Sequence, residues 1–230
     1  MTGQRSMTGQ PHMTATGPAR NRVTPSGDIV AAPGRGAWMG NRGRLHEGSG
    51  TRDIVRDHRG NAWLVCALSF RERRVPQWDP RHYTPLFFLD EAVAFAAGHR
   101  PCAECRRPAF TAFAAAWAAA HGGQCPHAPE LDSRLRAEPA RDPDGRRILT
   151  GMPWAGLPDG VFVLADHDLL AGQDPAVVSA GHLTRYDRVS NTYGVRCRRP
   201  RAGTATVITP PSTVAALRAG YQVQIADEAR

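Results

Sequence analysis

Residues 86–123, LFFLDEAVAFAAGHRPCAECRRPAFTAFAAAWAAAHGG, are the most informative stretch of the sequence because they place two cysteines in a short link between two predicted helices. Asp90 stands where a helix N-cap is expected, and Gly98 supplies the left-handed residue that often follows a helix end. This spacing predicts a first helix of about two turns. Cys102 and Cys105 follow that helix in a tight turn.

The second helix of this stretch has Pro108 in its first turn and is predicted to end at Gly122. Proline is tolerated in a first turn because the backbone N–H that it lacks would have no partner in the helix. Apolar residues recur at helical spacing and predict a buried face made of Phe110, Phe113, Trp117 and Ala120.

The rest of the chain predicts further strands on both sides of this stretch. Residues 61–70, NAWLVCALSF, form an apolar run that predicts a strand buried on both faces, with Cys66 at its centre. Residues 21–60 are rich in glycine and arginine, which predicts short strands and tight loops. Downstream, GVFVLAD and TATVITP predict two strands, and a last helix is predicted to begin after Ser212 as its cap.

The irregular alternation of these elements indicates the α+β class: a small mixed sheet with short helices and the cysteine turn between two of them. Residues 1–20, in which MTGQ occurs twice, are predicted to be a disordered leader. Residues 21–150 form the region that contains the cysteine turn. Residues 151–230 form a C-terminal α+β lobe that could belong to the same domain.

The formal net charge is +8, and all 29 basic residues are arginine. Codon bias in a GC-rich genome produces this composition, and so would a nucleic-acid partner, because guanidinium groups bind phosphates. Both interpretations stay open. No apolar run approaches the roughly 20 residues needed to cross a bilayer, and the N-terminus has no apolar signal segment. We therefore expect no membrane association and a cytoplasmic location.

The five cysteines are an odd number, which argues against a framework of disulfides. In a Cys-x2-Cys turn, two thiolates can reach one zinc ion at about 2.3 Å each. A redox pair is instead expected to open a helix directly after a strand. Here Gly98 ends a helix before the pair and Pro101 precedes Cys102, so zinc is favoured over redox chemistry.

The segment FFLDEAVAFAAGHRPCAECRRP, residues 87–108, resembles the second half of the zinc domain of the Ada DNA-repair regulators. In that family a strand and a helix ending in Ala-Gly precede an Arg-Pro-Cys-x2-Cys turn, and one zinc cysteine accepts a methyl group from a DNA phosphotriester. The resemblance is confined to this segment, and AGHRPCAEC is its most specific part. It implies a zinc knuckle and a nucleic-acid partner, with DNA favoured over RNA.

The resemblance also implies which residues hold the zinc ion. The family has two further cysteines upstream, and Cys66 matches the first by its order and its place in a strand. Phe70 stands at the position of the second and cannot bind a metal. We therefore predict that Cys66, Cys102 and Cys105 are zinc ligands, with Cys66 a ligand and not a methyl acceptor.

The fourth ligand is left open, with His82 and Cys125 ranked equally. His99 replaces an aromatic residue of the family, so packing is its expected role. A water molecule in the fourth position would make the site catalytic instead of structural. The full set of candidates for this position is His46, His82, His99, Cys125 and His127.

Nucleic-acid contacts are predicted from arginines that lie beside glycines or aromatic residues, because such surfaces clamp phosphates and stack on bases. These residues are Arg22, Arg42, Arg44, Arg71, Arg73 and Arg74. The alternative is that they belong to ordinary surface loops of an arginine-rich chain.

Three functions are consistent with these features. The first is a zinc protein that binds nucleic acid, for DNA repair or regulation. The second is a zinc-dependent hydrolase or nucleic-acid-modifying enzyme with an open zinc position. The third is a metal-stabilised interaction protein without nucleic acid. Residues 165–170, ADHDLL, are a weaker acid–base candidate that a solvated turn explains as well.

Overall fold

The computed structural model describes residues 17–47, 52–73, 76–138, 143, 147–165, 169–170 and 174–230. Within these ranges the chain forms twelve strands and four α-helices. The strands are β1 Arg20–Val23, β2 Ile29–Ala31, β3 Trp38–Asn41, β4 Leu64–Cys66, β5 Leu86–Phe88, β6 Arg100–Pro101, β7 Thr150–Pro153, β8 Phe162–Leu164, β9 Pro175–Ser179, β10 His182–Asp187, β11 Thr192–Arg198 and β12 Thr204–Val207. The helices are α1 Glu91–Ala96, α2 Arg107–His121, α3 Ala128–Ala137 and α4 Pro211–Arg218. A short 3₁₀ helix, Asp227–Ala229, ends the chain.

The predicted α+β class is confirmed, but the described strands form two six-stranded sheets instead of one small sheet. The first sheet has the order β2-β1-β5-β3-β4-β6 and is mixed, because β1–β5 and β4–β6 are parallel pairs. The second sheet has the order β11-β10-β9-β8-β12-β7, and each of its pairings is antiparallel. Only the first sheet carries the cysteines of the predicted knuckle.

Residues 182–187, HLTRYD, are too polar to be predicted as a strand from their own sequence, yet they form one. The segment is β10, at the centre of the β9–β10–β11 meander. Leu183, Thr184 and Tyr186 are buried, while His182, Arg185 and Asp187 are partly exposed. A strand with so few apolar positions shows only weak periodicity, so its assignment depends on the neighbouring strands.

The two helices around the cysteine turn follow the predicted boundaries closely. Asp90 caps α1, and its side chain accepts a hydrogen bond from the Val93 backbone N–H at 2.8 Å. Gly122 ends α2 with a left-handed φ of 69°. Two details are wrong: Ala120 is exposed instead of lying on the buried face of α2, and Ser212 lies inside α4 instead of capping it.

The strand that carries Cys66 is shorter than predicted. It spans only β4, three residues long, between β3 on one side and β6 on the other. Val65 is fully buried, but Leu68, which lies inside the predicted strand, is 55% exposed. The chain leaves the sheet after Cys66, so the apolar residues beyond it line a surface pocket instead of the core.

One continuous cluster of buried apolar residues joins the two sheets and the helices between them. α4 packs against α2. Tyr221, just after α4, lies with its ring centre 5.4 Å from that of Phe95 in α1 and 5.5 Å from that of Phe113 in α2. The second sheet begins at Thr150, next to the boundary that the sequence analysis draws, and it shares its core with the first. Arg20 belongs to β1 instead of the predicted leader, whose residues 1–16 lie outside the described ranges.

Two buried acidic residues at the start of α1 connect the C-terminal segment to the region of the cysteines. Asp90 accepts hydrogen bonds from the Tyr193 hydroxyl at 2.8 Å and from the Ala226 backbone N–H at 2.9 Å. Glu91 accepts hydrogen bonds from the Tyr221 hydroxyl at 2.8 Å and from a backbone N–H of the last segment. Burial raises the pKa of Asp90.

None of the helices in the described ranges is both long enough and apolar enough to span a membrane.

Candidate metal centre

Strand register brings the first two cysteines together. β4 and β6 are parallel, with Leu64 opposite Arg100 and Val65 opposite Pro101. The next residue on each strand is a cysteine, Cys66 on one and Cys102 on the other. The Cys102 backbone N–H donates to the Val65 carbonyl at 2.9 Å, which extends the pairing by one step. Two residues 36 positions apart therefore become neighbours because the strands on which they lie are paired.

The turn after β6 returns the third cysteine to the same place. Residues 103–106 form a turn that leads directly into α2, and the Arg106 backbone N–H donates to the Cys102 carbonyl at 3.1 Å. The Sγ atoms of Cys66, Cys102 and Cys105 all lie within 4.8 Å of one another. Tetrahedral zinc with sulfur ligands at about 2.3 Å holds its sulfurs roughly 3.8 Å apart, so this cluster fits such an ion.

Backbone donors support two of the three sulfurs. The Ala67 N–H donates to Cys105 Sγ and the Glu104 N–H donates to Cys102 Sγ, each at 3.4 Å. Such contacts orient cysteine ligands around a metal and stabilise their thiolate form. These two backbone N–H groups, together with the sulfurs themselves, therefore favour the binding of a cation.

Crowding of the three thiols shifts their pKa values. Hydrogen bonding from Cys66 lowers the pKa of Cys102 to about 5 and also lowers that of Cys105. The same hydrogen bonds, together with burial, raise the pKa of Cys66. Three thiols this close cannot all ionise unless a cation, such as a bound metal ion, balances their charge.

The three cysteines line a pocket of about 530 Å³. Cys66 and Cys102 are each 7% exposed, and Cys105 is half-buried. Aromatic and aliphatic side chains form much of the wall, and Arg73 and Glu104 contribute charges. These two side chains form an ion pair at 2.8 Å and are each more than half exposed. Other residues of the wall are Met39, Asn41, Leu68, Phe70, Gln77, Tyr83 and Phe87.

The candidates for a fourth ligand lie in other environments. His46 makes hydrogen-bond contacts with the Thr84 hydroxyl and the Asp79 carbonyl. His82 lies 3.4 Å from the Asp79 carboxylate. His127 precedes α3, and Cys125 is exposed. Among the described residues, the cluster of potential ligands contains the three cysteines alone.

His99 packs in the core, as the sequence analysis expects. Its ring centre lies 4.6 Å from that of Phe88 and 5.1 Å from that of Trp63. Arg42 Nε donates to His99 Nε2 at 3.1 Å. Burial, followed by the charge of Arg42, lowers the pKa of His99 well below its ordinary value, so the ring is neutral and accepts this hydrogen bond.

The prediction that Arg42 contacts a nucleic acid is wrong, because this side chain is only 1% exposed. Its guanidinium lies 4.0 Å from the ring centre of Trp63, and Nη1 donates to the Gly27 carbonyl at 2.9 Å. The sequence shows this arginine in a glycine-rich segment, which is typical of a surface loop. The packing of Trp63 and His99 around it is decided by residues distant in sequence.

The other predicted arginines have different degrees of exposure. Arg22 is half-buried and lies over the ring of Phe87 at 5.2 Å, and Arg44 is half-buried with Nη1 donating to the Pro80 carbonyl. Arg71 and Arg73 are exposed, and both lie over the ring of Phe70, at 5.0 and 5.6 Å. Arg74 and residues 166–168 of ADHDLL lie outside the described ranges.

Two residues of the pocket were not singled out from the sequence. Glu104 lies between Cys102 and Cys105, and its position between two predicted ligands could have identified it from the sequence. Phe87 lies within the quoted Ada-like segment, but nothing in the sequence shows that its ring faces the cysteines. It comes from β5, which pairs with β3, and β3 in turn pairs with β4.

Comparison with models of known protein families, with curated proteins and with solved structures gave no match.

Proposed function

We propose that this chain is a zinc protein that binds nucleic acid at an accessible zinc centre. Cys66, Cys102 and Cys105 hold the ion in this proposal. The observation that carries it is the convergence of three sulfurs, within 4.8 Å of one another, on the wall of a pocket. Zinc suits such a site because it accepts thiolate ligands in tetrahedral geometry.

Three protein ligands favour an accessible centre over a closed structural one. Structural zinc sites use four protein ligands, whereas sites with three leave one position to water or substrate. When bound in this way, zinc lowers the pKa of a coordinated water to about 7 and polarises a substrate oxygen. A zinc-dependent hydrolase or nucleic-acid-modifying enzyme is therefore the second candidate, and the pocket beside the cysteines is the observation that favours it.

Nucleic acid is the proposed partner because cations and aromatic rings occur together at this pocket. Arg73 and Phe70 belong to its wall, Arg71 stacks on the same ring, and Arg22 stacks on Phe87. Guanidinium groups bind phosphates, and exposed rings stack on unpaired bases. The Ada-type resemblance points to the same partner, with DNA favoured. A role in repair or regulation and a cytoplasmic location stay predictions.

Replacing the metal with Co²⁺ tests whether the centre is accessible. We expect about one ion per chain, with thiolate-to-metal charge-transfer bands in the near ultraviolet and the d–d bands of a tetrahedral ion in the visible, because three cysteines supply the ligands. Added imidazole should change the spectrum, since a small ligand can enter the fourth position. Cys125→Ser is the matched control, because that exposed cysteine lies outside the cluster, and its spectrum should be unchanged. A spectrum that does not respond to imidazole would show a closed site and contradict the proposal.

Binding to a single-stranded oligodeoxynucleotide is expected to weaken steeply with salt. Each phosphate contact on a single strand contributes about 0.7 to the slope of log affinity against log salt. Arg71→Ala combined with Arg73→Ala should lower the slope by roughly 1.4, because two contacts are lost. Fluorescence anisotropy at several salt concentrations measures the slope.

The control for this experiment removes the same charge elsewhere, by Arg134→Ala combined with Arg188→Ala. Both of these arginines are exposed and lie on α3 and on the β10–β11 turn. If both double variants reduce the slope equally, the contact is nonspecific charge attraction and not this surface. Absence of binding at low salt would favour an interaction protein without nucleic acid.

A further inference from the structure

A second basic pocket lies on the antiparallel sheet, where β11 runs into residues 199–203. It has a volume of about 300 Å³ and shares no lining residue with the pocket of the cysteines. Arg198, Arg199 and Arg201 line it together with His182, and Trp154 forms part of its wall. No acidic residue is among those that line it in the described part of the chain.

Strand register builds this pocket. His182 on β10 lies directly opposite Arg198 on β11, so both side chains project from the same face of the sheet. Arg196 is two residues from Arg198 and therefore shares that face, and its Nη2 lies 3.2 Å from His182 Nδ1. The backbone pairing of β10 with β11 therefore fixes the relative positions of His182, Arg196 and Arg198.

The wall of the pocket is equally well anchored. The Arg199 backbone N–H donates to the Gly181 carbonyl at 3.0 Å, and its Nη1 donates to the Leu157 carbonyl at 2.7 Å. Trp154 is 5% exposed, and its backbone N–H donates to the Gly203 carbonyl at 3.0 Å. These contacts hold the entry and the exit of residues 199–203 in place.

Two arginines of this pocket, Arg198 and Arg201, lack a counterion within the described chain, whereas Arg196 beside the pocket donates to the Arg230 backbone oxygen. Four of the six residues 196–201, RCRRPR, are arginine and none is acidic. Arg198 and Arg201 are exposed, and neither side chain makes a hydrogen bond or an ion pair with another described residue. Guanidinium groups that line one pocket repel one another, and an anion bound there reduces that repulsion while satisfying their donors.

We propose that this pocket binds a phosphate group of a nucleic-acid backbone. Two or more guanidinium groups suit a phosphate because each presents a planar fork of donors to its oxygens. The pocket's affinity for phosphate is independent of the metal centre. The assignment of this phosphate to a nucleic acid rests on the function proposed above. On this basis the chain contacts nucleic acid at two places, one on each sheet.

Equilibrium dialysis with inorganic phosphate tests the pocket directly. We expect saturable binding by the full chain and a loss of at least about tenfold in affinity for Arg198→Ala combined with Arg201→Ala, equivalent to about 1.4 kcal/mol. Both substituted side chains are exposed and make no hydrogen bond or ion pair with another described residue, so the variant should fold. Arg134→Ala combined with Arg188→Ala is the matched control, because it also removes two exposed arginines, one on α3 and one at the other end of the same hairpin.

A second arm uses a single-stranded oligodeoxynucleotide with the same variants. We expect the Arg198/Arg201 double variant to bind it more weakly than the Arg134/Arg188 control does. We expect the same difference in the chain with Cys102→Ser, provided that chain is folded by circular dichroism. Absence of saturable phosphate binding, or an equal loss in the Arg134/Arg188 control, overturns the site. If the chain binds inorganic phosphate but the double variant leaves the affinity for the oligonucleotide unchanged, the phosphate does not belong to a nucleic acid and this part of the proposal is wrong. Loss of the effect in the metal-free chain shows instead that the two sites depend on each other and contradicts their independence.

Discussion

Cys102→Ser is expected to remove the metal and to lower the free energy of unfolding by about 4 kcal/mol or more, because loss of a bound metal is among the few single changes that cost this much. Serine is a poor zinc ligand, and Cys102 is 7% exposed at the junction of β6 and the turn. Without the ion, two remaining thiolates would face each other at close range. Metal content after dialysis and urea unfolding measure the two effects.

Cys125→Ser is the control for this prediction, since Cys125 is exposed and lies outside the cluster. It should retain the metal and the stability of the unmodified chain. Cys105→Ser should behave like Cys102→Ser, because both belong to the same turn. A Cys102→Ser chain that is metal-free and unfolds at the same urea concentration as the original would contradict a stabilising zinc site.

Glu91→Gln is expected to lower the free energy of unfolding by about 3–5 kcal/mol, because it leaves a buried arginine without its charge partner. Glu91 Oε1 lies 2.7 Å from Nη1 of Arg106, and the two side chains are 1% and 7% exposed. Glu91 also accepts hydrogen bonds from the Tyr221 hydroxyl and the Gln224 backbone N–H. A glutamine must turn its NH₂ toward one of these donors, so at least one hydrogen bond is lost as well.

Glu91→Gln is also expected to affect the proposed metal centre. Arg106 follows Cys105 directly in the chain, and its guanidinium lies 3.8 Å from the ring centre of Trp38. When its ion pair is lost, the turn that presents Cys105 loses one of its anchors, and metal affinity should fall together with stability. Thermal unfolding should occur roughly 10 °C lower, at the 2–4 °C per kcal/mol typical of chains of this length.

Glu130→Gln is the matched control for Glu91→Gln. Glu130 also pairs with an arginine, Arg134, but at 3.8 Å and with both side chains more than half exposed. A surface pair of this kind contributes about 0.5 kcal/mol or less. Equal effects of the two substitutions would contradict the importance that we assign to burial of the Glu91–Arg106 pair.

The sequence alone predicts the local geometry around the cysteines well. Asp90, Gly98 and Gly122 mark helix ends through their own backbone preferences, so α1 and α2 lie within a residue or so of their predicted positions. Cys102 and Cys105 share a turn because only two residues separate them. Such features depend on neighbours along the chain, which a sequence displays directly.

The partnership of Cys66 with these two residues was predicted from the resemblance, and the described structure does bring the three sulfurs together. Its cause is the parallel pairing of β4 with β6, which a strand of three residues does not reveal by its own pattern. The predicted length of that strand was wrong for the same reason. Residues beyond Cys66 have strand-forming side chains but no partner strand, so they line the pocket instead.

The sequence was sufficient to predict the α+β class, the helices beside the cysteine turn and the closeness of Cys102 to Cys105, whereas Cys66 was added through the Ada-type resemblance. Only the tertiary structure decided that there are two sheets, that Arg42 is buried beside Trp63 and His99, and that a pocket opens beside the cysteines. The physical reason is the range of the interactions. Caps and turns act over a few residues, whereas the pairing of β3, β4, β5 and β6 and the burial of a guanidinium join segments that are tens of residues apart.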